Sequence, residues 1–134
     1  MDDILVGRLM STTLHTVTPE TLVEEAAQTM LTNDISSTLV VDNNNQLEGI
    51  LTTTDFVRIV AERRPKDQTP VDAYMTTDVT TATAQDTIRD AADEMLEHGC
   101  HHLPVVDDTE GVIGMLSTTD LTAYLSHVQT PSPA

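Results

Sequence analysis

Tryptophan is absent from this chain, and one phenylalanine and two tyrosines are its only aromatic residues. A core must therefore be built from Val, Leu, Ile, Met and Ala. Cysteine occurs once, at Cys100, which excludes an internal disulfide and a cysteine metal pair and leaves a small buried hydrophobe as the reading. Basic residues are scarce: six stand against twenty-two acidic ones, for a formal charge of -16. Nucleic acid and anionic membrane both require a positive footprint, so neither is expected as a partner. No run approaches the ~18 apolar residues of a membrane span, and the start, Met1-Asp2-Asp3, is unlike a secretory signal, so a cytoplasmic location is expected. Neither a nucleophile–histidine pair, nor a carboxylate pair, nor a Walker-type glycine loop stands out, and the chain is not expected to be an enzyme.

What is present is enough for a fold. The 134 residues suffice for one domain or two small halves with a shared core. The acids are spread through a patterned sequence rather than gathered in a tail, Lys66 is the only lysine, and threonine is frequent. This acidic pattern resembles proteins of salt-loving archaea. In molar salt the screening length is ~3 Å, which mutes self-repulsion, so stability is expected to rise with salt.

The strongest signal is a repeat. Met10 to Met75 and Asp55 to Asp120 are each 65 positions apart, and the offset holds without a gap. At that offset Val6, Thr18, Ala26, Met30, Leu31, Val40, Val41 and Asp42, among others, meet identical residues. The chain is a tandem duplication. Its two clearest copies are Gly49-Ile50-Leu51-Thr52-Thr53-Thr54-Asp55 and Gly114-Met115-Leu116-Ser117-Thr118-Thr119-Asp120. In each, a short apolar strand ends in a hydroxyl residue with a carboxylate three positions on, the spacing of a reciprocal helix cap. The same junction offers backbone N–H groups, a hydroxyl and a carboxylate, which suits a phosphate and a ribose diol.

Each half reads as strand, helix, strand, strand, helix. Leu14–Thr18 and Val79–Thr83 alternate at period two. Helices follow from a capping box at Thr21 and Glu24, ending near Asn33 or Asp34, and from Asp86 to a stop at Gly99. Thr38–Val41 and Leu103–Val106 read as buried strands, each joined by a turn to Leu47–Leu51 or Val112–Leu116. Closing helices span about Thr53–Glu62 and Thr118–Ser126. The fold class is α+β, with one repeat over 1–64, a linker over 65–70, a second repeat over 71–128 and a flexible tail over 129–134.

This order, the duplication and the hydroxyl–x–x–Asp signature resemble a tandem pair of CBS domains, often called a Bateman module. The residues that carry the resemblance are Val40-Val41-Asp42, Leu103-Pro104-Val105-Val106-Asp107 and the two signatures quoted above. It covers roughly Val6 to His127. It implies two β-α-β-β-α repeats packed about a pseudo-two-fold axis, with two related clefts that in this family commonly bind AMP, ADP, ATP or S-adenosylmethionine. The signature aspartate would hold the ribose and the hydroxyl residue would sit near the phosphate, which assigns Asp55 with Thr52 and Asp120 with Ser117. A threonine closing the first strand reaches across in such pairs, so Thr18 would join Asp120 and Thr83 would join Asp55. Pairs of this kind usually dimerise through their helices, and a homodimer is expected.

Each candidate also has a plainer reading. Asp55 and Asp120 can act as helix caps alone, worth ~0.5–2 kcal/mol. His101 and His102 stand where nucleotide-binding members often carry basic residues, and Ser36 and Ser37 replace them in the first copy; both can equally be polar edge residues. Arg58, Arg63, Arg64 and Lys66 complement a helix C-terminus, and Arg58 could also pair with Asp55 or a phosphate. Successive strand residues point to opposite faces, so His101 and His102 should share no metal, and none is expected. The expected function is a regulatory module that senses an adenosine-containing metabolite and signals to an unidentified partner protein. The alternative is a ligand-free scaffold that only dimerises.

Overall fold

The computed structural model describes residues 4–129. Its elements are α1 (Val6–Leu9), β1 (Thr16–Val17), α2 (Val23–Asn33), β2 (Ser37–Val41), β3 (Leu47–Thr52), α3 (Thr53–Ala61), a 3-10 turn (Val71–Ala73), α4 (Ile88–His98), β4 (His102–Asp107), β5 (Gly111–Ser117) and α5 (Thr118–Gln129). The chain has a mixed helix and strand fold, with one sheet of three strands and one of two. The tail expected from residue 129 falls, beyond Gln129, outside the described residues.

Two helix starts lie one residue later than the sequence suggests. The Thr21 hydroxyl is taken by Thr18, whose N–H donates to it at 3.2 Å. The cap of α2 therefore moves to Leu22, whose N–H donates to Glu25 Oε1 at 3.2 Å. Asp86 is likewise occupied, accepting the Thr83 N–H at 2.9 Å, and Thr87 caps α4 by accepting from the Asp90 N–H at 3.1 Å. Of the two stops open for α2, the structure uses Asp34, which turns left-handed with φ 53° as Gly99 does after α4.

In the three-stranded sheet β1 runs parallel to β2, and β2 pairs antiparallel with β3. The corresponding first strand of the second repeat, expected at Val79–Thr83, shrinks to one bridge between Ala82 and Val105. Pro104 supplies the reason. It accepts from the Ala82 N–H at 2.9 Å but has no N–H to donate, so the parallel ladder cannot extend toward residue 80.

The chain divides into two compact units that interleave the repeats. The terminal unit takes the described parts of Met1–Thr13, Thr80–Asp108 and Ile113–Ala134; the central unit takes Leu14–Val79 and Thr109–Val112. In the terminal unit Val6, Ile88, Met95, Leu103, Val105 and Leu116 form the core. In the central unit Val23, Ala26, Val40, Leu51, Ile59 and Val71 do so. Each segment before a repeat thus completes the unit built around the other repeat's signature. Ser11 and Met115 exchange backbone bonds of 2.8 and 3.0 Å, and Thr76 and Ile50 do the same at 2.9 and 3.0 Å. The signature glycine permits this approach: a Cβ at Gly49 would stand 2.8 Å from the Thr76 carbonyl oxygen.

A second contact inside the central unit involves the two turns. Asn45, left-handed with φ 63°, donates through Nδ2 to the carbonyls of Glu110 (2.9 Å) and Val112 (2.8 Å). The Val112 N–H returns a bond to the Asn45 carbonyl at 3.0 Å. Gly111 is pinned between them with φ 79°, and any Cβ there would run into the Asn45 carbonyl.

The core contains one polar anomaly. Thr38 on β2 is fully buried at the position where the second repeat has Leu103, and among the described residues its Oγ1 meets no hydrogen-bond partner. An unsatisfied buried hydroxyl costs about 1–3 kcal/mol. Thr38→Val keeps the shape and removes that cost, so it should stabilise the protein by about 1 kcal/mol in urea unfolding. An unchanged or lower midpoint would show that the hydroxyl is satisfied in solution.

Candidate functional site

Both signatures fold as strand-to-helix junctions. In the central unit β3 passes directly into α3, and the Thr52 N–H donates to Asp55 Oδ2 at 2.8 Å, with the Thr52 hydroxyl at 3.4 Å from the same oxygen. In the terminal unit β5 passes into α5. There the Ser117 N–H and Oγ donate to Asp120 Oδ2 at 2.8 and 3.0 Å, and Ser117 Oγ accepts the Asp120 N–H at 3.1 Å. Both copies are reciprocal caps.

These junctions are less open to an anion than the spacing suggests. The first helical N–H of each, on Thr53 and Thr118, donates to the carbonyl of Ser36 (3.2 Å) and His101 (3.0 Å). With the Asp120 N–H held by Ser117, the terminal junction has spent two of the amides a phosphate would use. The carboxylate, rather than the helix dipole, is left as the distinctive group.

The two carboxylates differ in their surroundings. Asp55 is 4% exposed, and its Oδ1 pairs with Arg58 Nη1 at 3.3 Å. Asp120 is half-buried, and the residue 65 positions after Arg58 is Ala123. His102 lies within electrostatic reach of Asp120. Burial, assisted by the neighbouring His101, holds the His102 imidazole below its ordinary range, while Asp120 pulls it back up. The structure therefore brings Ser117, Asp120 and His102 together, with His101 exposed beside them and contributing its carbonyl.

Thr18 and Thr83 each close a local turn. The Thr18 hydroxyl lies 3.2 Å from that of Thr21, and Thr83 Oγ1 donates to Asp86 Oδ1 at 3.0 Å. Thr18 belongs to the central unit and Thr83 to the terminal unit, so the roles expected of them with Asp120 and Asp55 join residues of different units.

Three other features were faint in the sequence. Asp42 of the Val-Val-Asp motif holds its turn, accepting the N–H groups of Asn44 (2.8 Å) and Gln46 (2.9 Å) on Oδ1. Cys100 packs against the terminal core, and burial and Glu94 push its thiol pKa up. His98 bonds Glu94 at 3.2 Å in an exposed group with Glu97 at the end of α4. No helix among the described residues is long and apolar enough to cross a membrane.

Comparison with known proteins agrees with this geometry. The sequence model of the CBS domain matches residues 6–62 and again residues 71–127. An uncharacterised 17.7 kDa protein of Acidianus ambivalens is 34% identical over 125 residues, 93% of this chain and 75% of its own length. A homoserine O-acetyltransferase of Methanococcus vannielii is 32% identical over 91% of this chain, but the chain spans only 25% of that enzyme. Among solved structures, the CBS domain pair of protein MJ0100, in complex with 5′-methylthioadenosine and S-adenosyl-L-methionine, superposes with a TM-score of 0.85 at 25% identity. It covers 93% of this chain and 98% of its own.

Proposed function

Because the chain belongs to the CBS domain family, with both halves matched, we propose that it is a non-catalytic regulatory module that binds an adenosine-containing metabolite at its signature carboxylates. The observation that carries this reading is the Ser117–Asp120 junction with His102 beside it. The carboxylate holds its own strand–helix turn through Oδ2 and stands where a ribose diol would donate to it, while His102 can meet a phosphate. The MJ0100 pair supports the ligand class, being bound to two adenosyl compounds. Thr18 and Thr83 are carried over as supporting ribose or phosphate contacts, and the working repeats are 1–64 and 71–128. The ligand would act by stabilising one arrangement of a module that a regulated protein reads. We place it in the cytoplasm, with the acidic surface suited to high salt.

Association into a homodimer fits the helices. Leu31 and Leu96 are 78% and 82% exposed at equivalent positions of α2 and α4, and Val60 and Leu125 repeat the pattern on α3 and α5. Such duplicated aliphatic exposure is what a self-complementary interface covers. It would serve a ligand-free scaffold equally well.

A thermal-shift panel of AMP, ADP, ATP, S-adenosylmethionine and 5′-methylthioadenosine separates the two. A ligand at ~100 times its Kd should add about 2.7 kcal/mol; no shift from any would leave the scaffold. The histidine adds a sign. A docked phosphate raises the His102 pKa, so AMP binding takes up a proton and tightens as pH falls. Since burial starts that imidazole below its usual range, the gain should come on the acid side of neutrality. Uncharged 5′-methylthioadenosine should show no such trend, and an AMP affinity flat across that range removes His102 from the phosphate.

A further inference from the structure

We infer that Arg58 makes the two signature carboxylates unequal: its guanidinium occupies Asp55 as an internal stand-in for the ribose diol, so an adenosyl ligand fills the Asp120 site first. This rests on the reading that the signature carboxylates hold a ribose. A cis-diol engages a carboxylate by donating one O–H to each oxygen or both to one. At Asp55 both oxygens already accept a bond, Oδ2 from the Thr52 N–H at 2.8 Å and Oδ1 from Arg58 at 3.3 Å, so a diol would compete with the guanidinium for the outer oxygen. Asp55 is also 4% exposed, so a ligand would have to displace a cation from a buried carboxylate and offer only neutral hydroxyls in return. The Arg58 side chain is 53% exposed and free to swing outward, so the guanidinium biases the site rather than sealing it.

At the terminal junction the equivalent position is Ala123, exposed on α5, and both Ser117 bonds gather on Asp120 Oδ2. The duplication itself supplies the comparison, because Arg58 and Ala123 stand at equivalent positions of two strand–helix junctions that share the hydroxyl–x–x–Asp signature.

The test is calorimetric titration of the full chain with 5′-methylthioadenosine, which carries the diol without a phosphate, and in parallel with AMP. Wild type should bind one equivalent tightly and a second weakly. Arg58→Ala should strengthen the weak one about five-fold for both compounds, and Asp55→Asn in that background should remove the gain. Ala123→Arg, at an exposed helix position, should weaken the tight equivalent by a similar factor. Two equal equivalents in wild type, or a 5′-methylthioadenosine affinity untouched by Arg58→Ala, overturns the inference and leaves the adenosyl reading standing. A loss confined to AMP in Arg58→Ala also overturns it, making Arg58 a phosphate ligand. Binding of neither compound by any variant overturns the adenosyl reading and the inference with it.

Discussion

Gly111→Ala is expected to destabilise the protein by about 3 kcal/mol, more than any conservative surface change. Two causes add. A left-handed backbone costs a non-glycine residue about 1–2 kcal/mol, and Gly111 holds φ 79°. The new methyl also meets a backbone atom, the Asn45 carbonyl oxygen, which cannot rotate aside as a side chain would. Relief requires the turn to move, and that stretches the bonds from Asn45 Nδ2 to the Glu110 and Val112 carbonyls. Urea unfolding should show a lowered midpoint with an unchanged slope. Asn45→Ala, which removes the bonds without the collision, should cost less, about 1–2 kcal/mol. If the glycine variant were no less stable than the asparagine variant, the turn would be looser than its geometry states.

Asp120→Asn should weaken adenosyl binding about 100-fold. The substitution keeps an oxygen that can accept the Ser117 N–H, so most of the cap survives and the fold should lose under 1 kcal/mol. What disappears is the charge, and with it, on the proposed reading, two charge-assisted bonds that a ribose would make, each worth about 1.5–3 kcal/mol before partial replacement by the amide. Asp55→Asn should change the tight binding event little. Equal loss in the two variants would mean that one ligand needs both carboxylates.

The duplication was fully legible because identical residues recur at one offset, and with it went the element order. Strand–helix junctions were legible too, since a hydroxyl and a carboxylate three apart leave few alternatives. Residue-level caps were not, because Thr21 and Asp86 are good cap residues that other groups had already claimed, Thr18 and Thr83 respectively. Pro104 explains the lost first strand in hindsight, yet in the sequence it reads only as the usual form of that motif. The contrast between Arg58 and Ala123 was visible in the letters, but only a distance shows that the arginine reaches Asp55 rather than the helix end. Nothing local could reveal that Met10 and Ser11 belong beside Gly114, since the residues that receive them lie about a hundred positions away.

That last pairing bears on how the protein is made. The segment holding α1 leaves the ribosome well before its partners, the Ile88 N–H that bonds the Ile4 carbonyl and the Met115 backbone. At about 5–20 residues per second the opening segment waits several seconds with Val6 and Leu9 uncovered. Most of the central unit is contiguous from Leu14 to Val79 and can gather its core meanwhile. Folding should therefore run from the inside of the chain outward, with the Asp120 junction forming after the Asp55 junction. Stalled or C-terminally truncated chains would keep the Asp55 signature and leave residues 4–13 without their partners.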